Sequence, residues 1–236
     1  MANIQQRLNE VRARIQKAEL ACGRRPGSVQ LLAVSKTHPT AVIREVAAAG
    51  QHAFGENYLQ DALQKIDALT DLALEWHFIG AIQSNKTRDI AAHFDWVHTL
   101  EREKIARRLS AQRPDGLPPL NVCLQVNISG EASKAGLEPS AVADLAATVS
   151  GLPGLRLRGL MTIPRAEADP GRQRAAFHAL AELQQQLVAD GLALDTLSMG
   201  MSNDLEAAIT EGSTIVRIGT AIFGERPRPK TKEDIG

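Results

Sequence analysis

Eight short apolar runs, each too brief for a helix, constrain this 236-residue chain more than any other feature. They are LLAVS, HAFGEN, EWHFIG, DWVHTL, NVCLQVNI, RLRGLMTI, DTLSMG and TIVRIG. Runs of this length, rich in buried-strand residues, read as strands. Helix-patterned segments separate them. Val142, Leu145, Ala146 and Val149 follow Pro139, which suits a first helical turn. Phe177, Leu180, Leu183 and Leu187 form a stripe that stops at Gly191, a natural C′ glycine. Asn203 and Glu206, three apart before Ile209, have the spacing of a capping box, and Gly212 ends that helix. Strands alternating with helices imply parallel pairing, because each crossover returns the chain to the same edge. Eight such units are the number that closes a single (β/α)8 TIM barrel. An open doubly wound sheet is the competing architecture. Ahead of the first strand, Ile4, Leu8, Val11 and Ile15 mark one extra N-terminal helix, closed by Gly23.

The barrel reading takes residues 1–225 as one domain. Residues 226–236, the end of the polar, proline-interrupted run ERPRPKTKEDIG, read as a loose tail. Lysine plus arginine and aspartate plus glutamate each total 27, so the net charge is zero. That balance supplies no long-range attraction for nucleic acid or an anionic membrane. The N-terminus is amphipathic and charged rather than signal-like, and no run approaches the roughly 18 apolar residues of a membrane span. Cys22 and Cys123 lie far apart and match no metal or redox spacing. A cytoplasmic protein with reduced thiols is the expectation.

In parallel barrels ligands bind where the strands end, so polar residues there are the candidates. Lys36 continues LLAVS, and period-two alternation puts Leu32, Val34 and Lys36 on one face. An ammonium at an apolar rim has its pKa lowered by desolvation, which favours a nucleophilic amine able to form a Schiff base. A lysine snorkelling into solvent is the alternative. SMGMSND follows the seventh strand and RIGTAIFG lies in and beyond the eighth, the usual barrel phosphate loops. Hydroxyls of Ser198, Ser202 and Thr220, with backbone N–H groups at Gly200 and Gly219, suit a phosphate; ordinary turn glycines and capping serines are the alternative. Asp204 and Glu206 would repel an anion directly above their helix, so it should sit nearer Ser202 and Gly219–Thr220. Arg217 lies inside an apolar strand, where a guanidinium needs partners, either at the barrel mouth or in a structural ion pair. His77, Gln125 and Asn127 line the same mouth or satisfy one another across the barrel. Zinc-type histidine spacing, GxGxxG and Walker sequences are all missing. Cys123 reads as a small core residue.

A lysine, a two-loop phosphate cradle and a nearby arginine together suggest pyridoxal 5′-phosphate. Six motifs in order carry a resemblance: AVSKTHP, FGENYLQ, HFIGAIQSNK, GLMTIP, SMGMSND and VRIGTAIFG. The chain resembles the pyridoxal phosphate homeostasis proteins, relatives of the alanine racemase N-terminal barrel, from its first helix to Gly224. The resemblance implies that Lys36 forms the Schiff base with the cofactor. It also implies that Ser202, Gly219 and Thr220 hold the phosphate, with Ser198 and Met199 beside them. Arg217 would face the pyridine nitrogen, and Asn57 and Met161 would line the ring pocket. Ala81 stands where many relatives carry proline, which touches only local loop shape.

The implied function is binding without turnover: holding a reactive aldehyde, limiting its free concentration and releasing it to apo-enzymes that use pyridoxal phosphate. The alternative is a weak amino acid racemase, and a Schiff-base aldolase without the cofactor lies further off. Racemisation needs acid/base groups on both faces of the substrate carbon. In the racemase relatives the second base is a tyrosine from a C-terminal β domain across a dimer. This sequence has only Tyr58 and ends soon after the eighth strand, so the expectation is a monomeric carrier.

Overall fold

A computed structural model describes residues 3–131, 134–165, 167 and 169–224. Helix α1 (Ile4–Ala21) precedes β1 (Gln30–Val34), α2 (Thr40–Ala48), β2 (Ala53–Glu56), α3 (Leu59–Ala68) and β3 (Glu75–Phe78). Then come α4 (Thr87–His93), β4 (Trp96–Leu100), α5 (Glu103–Gln112), β5 (Leu120–Gln125) and α6 (Val142–Ser150). The chain continues through β6 (Leu155–Met161), α7 (Pro170–Ala189), β7 (Thr196–Ser198), α8 (Leu205–Thr210), β8 (Ile215–Ile218) and the short α9 (Thr220–Phe223). All eight apolar runs contain a strand. They close in sequence order into one parallel barrel, with β8 returning to β1 from Gln30↔Ile215 to Ala33↔Ile218.

Parallel strands with helices outside are buried on both faces, which is why their sequences are nearly continuous apolar runs. Two cores result. The larger lies between strands and helices and includes Ala33, Phe54, Phe78, Val97, Leu124, Leu160 and Ile218. The smaller fills the barrel with Leu32, Ala53, Trp96, Cys123, Met161 and Ile215. The rest of the interior includes a polar row, His77, His98, Ser198 and Arg217, all at most 4% exposed.

The extra helix is built as its pattern requires. Asn3 caps α1 by accepting the Gln6 N–H at 2.8 Å, and Leu8, Val11 and Ile15 are buried. Glu19, 1% exposed, accepts the N–H groups of Gly27 at 3.0 Å and Val29 at 2.7 Å, fixing the entry into β1. Pro139 takes the first position of a helical turn, here 3-10, with Ala141 N–H on the Glu138 carbonyl at 2.9 Å, and the turn runs directly into α6 at Val142. Two local readings need correction. The Asn203/Glu206 capping box does not form. Asp204 is the N-cap, its carboxylate taking the Met201 N–H, while Arg14 of α1 draws Glu206 away at 2.8 and 2.9 Å. Finally, β1 stops at Val34, and Lys36 sits in a turn closed by His38 N–H on the Ser35 carbonyl at 3.0 Å. The tail expected over residues 226–236 lies outside the described residues.

Candidate functional site

Because every strand runs the same way, all eight C-terminal ends open on one mouth. Lys36 follows β1, Asn57 follows β2, Met161 ends β6 and Ser198 ends β7. Arg217 is the third residue of β8, and Gly219 and Thr220 lead into α9. The ladders set Leu32 beside Arg217, Met161 beside Ser198 and Ser198 beside Ile215. The first two strands and the last three thereby supply the candidate residues.

Lys36 is half-buried, and the turn holding it is constrained. Thr37 has φ +67°, a left-handed conformation that a β-branched residue adopts only under tertiary constraint. Next to it, the His38 ring stacks on Phe223 of α9 at 4.7 Å, joining the β1 turn to the end of β8. Behind the lysine, Ser35 points the other way and donates its hydroxyl to Glu56 at 2.6 Å. Lys65 of α3, 3% exposed, bonds to Glu56 at 2.8 Å, Asp61 at 2.6 Å and the Ser35 carbonyl at 3.1 Å. Burial pushes the Glu56 carboxyl above its ordinary range, and Lys65 and Ser35 pull it part of the way back. This buried cluster grips the residues immediately before Lys36 and Asn57.

Asn57 is held from the other side by Gly80. A Cβ on Gly80 would stand 2.0 Å from the Asn57 carbonyl oxygen, so only glycine allows this approach. Thr99 fixes Gly80 in turn, donating to its carbonyl at 2.6 Å. The Asn57 Oδ1 is buried with no partner among the described residues.

Arg217 is 4% exposed and forms no ion pair among the described residues. Its Nη1 donates to the carbonyl and the hydroxyl of Ser198, each at 2.7 Å, and its Nη2 to the Thr162 carbonyl at 2.9 Å. Burial lowers its pKa to about 10, which leaves it charged at neutrality. Three of its five N–H donors are thus used, and the guanidinium is fixed in the plane of the barrel wall.

The Ser198 hydroxyl is engaged within the protein. Ser198 is fully buried, and its Oγ is taken by Arg217 and by His98 Nδ1 at 2.7 Å. Met199 is turned away. Its side chain packs in the outer core, its N–H bonds to the Ile215 carbonyl at 3.1 Å, and its carbonyl accepts the Ser213 hydroxyl at 2.7 Å. Met161 is buried in the inner core below the mouth. Ser202 is half-buried and Thr220 exposed, and their hydroxyls make no bond among the described residues. A Cβ on Gly219 would meet nothing closer than 3.4 Å, so packing does not require glycine there and the bare backbone is open to approach. Gln125 and Asn127 do not answer His77. They donate to the carbonyls of Ala135 at 3.2 Å and Glu131 at 2.9 Å. Sequence reading missed His98, Gly80 and the Glu56–Lys65 pair; only His98 left a signal, its two-residue spacing from the inward Trp96.

The alanine racemase N-terminal domain family matches residues 6–227. A pyridoxal phosphate homeostasis protein of Pseudomonas aeruginosa is 62% identical over 226 residues, covering 96% of this chain and 97% of that one. One from Escherichia coli is 52% identical over 233 residues, covering 98% and 100%. The structure of PipY from Synechococcus elongatus with PLP bound superposes with a TM-score of 0.83 at 38% identity, over 94% of this chain and 100% of that one. Alanine racemase from Corynebacterium glutamicum shares the fold alone, at 18% identity and a TM-score of 0.66 over 63% of its length. Near-complete mutual coverage at high identity, on a single closed parallel barrel, places the chain in the pyridoxal phosphate homeostasis protein family.

Proposed function

We propose that this chain binds pyridoxal 5′-phosphate at the barrel mouth and acts in cofactor homeostasis, storing and delivering it without turnover. The observation that carries this reading is the juxtaposition, across the β1–β8 closure, of Lys36, the buried Arg217 and the open Gly219–Thr220 backbone. The residues fit such a ligand. Lys36 offers an amine on a constrained turn, and Arg217 has two N–H donors uncommitted among the described residues. Ser202 and Thr220 hydroxyls, with the Gly219 backbone, suit a phosphate, and Asn57 brings an unpaired buried acceptor to the ring side. The acids near that phosphate position are engaged, Glu206 by Arg14 and Asp204 by the Met201 N–H.

When bound, the cofactor supplies an aldehyde that condenses reversibly with a primary amine. Arg217 stays charged, so it would offer a pyridine nitrogen a donor rather than a transferable proton, which would weaken the electron sink that carbanion chemistry uses. A second base for racemisation also lacks support: Tyr58, the single tyrosine, is 60% exposed. The names of the full-length relatives support homeostasis over catalysis. Delivery to apo-enzymes, a monomeric state and a cytoplasmic location belong to the same reading. Among the described residues no helix is long and apolar enough to cross a membrane.

The test is borohydride reduction of the protein mixed with pyridoxal phosphate, followed by peptide mass analysis. An adduct on Lys36, abolished in Lys36→Ala with weak non-covalent binding retained, is expected. A trapped adduct on another lysine in Lys36→Ala, or no adduct in the wild type, overturns the assignment.

A further inference from the structure

Arg217 is a buried cation without a directly bonded carboxylate among the described residues, and four consecutive short bonds lead away from it. Arg217 Nη1 meets Ser198 Oγ at 2.7 Å, and Ser198 Oγ meets His98 Nδ1 at 2.7 Å. His98 Nε2 meets His77 Nδ1 at 2.8 Å, and His77 Nε2 meets Glu75 Oε1 at 2.7 Å. The row crosses the barrel from the β7–β8 wall to the β3–β4 wall and descends to the first residue of β3. His77, His98 and Ser198 are fully buried, so water does not interrupt it. Glu75 is 41% exposed at the end opposite the mouth. There it also accepts from Gln30 at 2.9 Å and borders a cavity of about 570 Å³ shared with Arg12, Glu19 and His52.

The chemistry of the groups gives the row a direction. Guanidinium only donates and an ionised carboxylate only accepts. The His77 hydrogen bond holds the Glu75 carboxyl at about 2, so it is ionised. Burial, with the positive charge of Arg217, keeps the His98 ring uncharged. A single proton on His77 is the premise that the tautomer measurement below tests: with one proton on each ring, a single arrangement satisfies every bond. Arg217 donates to Ser198, Ser198 to His98 Nδ1, His98 Nε2–H to His77 Nδ1, and His77 Nε2–H to Glu75. Each donation makes the next atom a better acceptor, so a chain aligned head to tail polarises along its whole length.

We propose that Glu75 is the remote counter-ion of Arg217, joined to it through Ser198, His98 and His77. All four are positioning residues that set the charge and orientation of the arginine at the mouth. The other titratable groups near Arg217 are Asp204, which accepts the Met201 N–H, and the Cys123 thiol, which burial keeps protonated. The part of this inference that concerns ligand binding rests on the cofactor reading above; the direction of the relay does not.

Two measurements test it. Long-range proton–nitrogen NMR on the unliganded, histidine-labelled protein should show both His77 and His98 as Nε2–H tautomers. A proton on Nδ1 of either ring at pH 7.5 overturns the relay, because the row would then run in reverse or break. The second is Glu75→Gln, which keeps an acceptor for His77 and removes only the charge. Its affinity for pyridoxal phosphate should fall roughly fivefold or more, with a shifted absorbance maximum of the bound cofactor, both read at a temperature where the variant is fully folded. Glu75→Asp should recover part of that loss. Unchanged affinity and absorbance in Glu75→Gln overturn the counter-ion role. If the wild type itself traps no adduct, the cofactor reading fails, and the tautomers still judge the relay alone.

Discussion

Replacing Lys65 by methionine keeps the aliphatic stem and removes the cation from the cluster behind Lys36. Glu56, with no exposed surface, then has only the Ser35 hydroxyl at 2.6 Å to hold its charge. Removing one partner of a buried ion pair typically costs about 3–5 kcal/mol. The lower half of that range applies, because Asp61, the other carboxylate on Lys65, is 40% exposed and can return to water. At roughly 2–4 °C per kcal/mol for a chain of this length, the thermal midpoint should drop by roughly 6–16 °C. The loss should depend on pH in a fixed direction. The Glu56 carboxyl titrates above its unfolded value of 4.5. Its stabilising contribution is fully present below that value and is lost as pH rises through the folded pKa. Without Lys65 the folded value climbs further, so the variant's deficit should be smaller at pH 5 than at pH 8. Urea unfolding of wild type, Lys65→Met and Lys65→Met/Glu56→Gln at both pH values decides the matter. The double variant, with no buried charge left, should recover much of the loss and show no extra pH dependence. A deficit under 1 kcal/mol, or one equal at pH 5 and pH 8, would refute the view that a buried charge holds this turn.

Two further changes probe the mouth and the core. Gly80→Ala should destabilise by about 1–3 kcal/mol through overpacking against the Asn57 carbonyl, and weaken pyridoxal phosphate binding by displacing Asn57. A thermal midpoint and a binding constant equal to those of wild type would show that the contact relaxes without consequence. In the native protein at pH 8, a thiol reagent should label Cys22, which is half-buried, and spare Cys123. Burial pushes the Cys123 thiol up to about 12, so it should react only on unfolding, and equal labelling rates would contradict its place inside the barrel.

The barrel was legible because its signals are local. Period-two and period-3.6 patterns mark eight strands and the helices between them, and parallel order follows from the alternation. Lys36 stood out as a candidate at the end of an apolar run and Arg217 as a charge inside one, whereas Asn57 was a candidate only through the resemblance of its motif. What failed was local pattern overridden at a distance. Glu206 has capping-box spacing, but Arg14 of α1 offers its carboxylate a bidentate partner instead. Ser198 opens a segment with phosphate-site spacing, and no local pattern signals that β4 supplies His98 and β8 supplies Arg217 to its one hydroxyl. Met199 sits in a glycine- and serine-rich loop, yet its side chain faces the helices. The Glu56–Lys65 pair joins β2 to the last turn of α3, a proximity that neither residue's neighbours in sequence announce.

The closure of the ring from β8 to β1 has a consequence for synthesis. Lys36 emerges from the ribosome long before Arg217 and Thr220, about 180 residues earlier, and the two groups meet across that final ladder. A nascent chain short of β8 therefore carries the reactive amine without the arginine or the phosphate loops. Bringing the first and last strands together is also a long loop closure, the kind of contact that forms slowly. A small molecule that touches both sides of the seam favours the closed ring by mass action. For such a protein, cofactor supply and the completion of folding become two sides of one equilibrium.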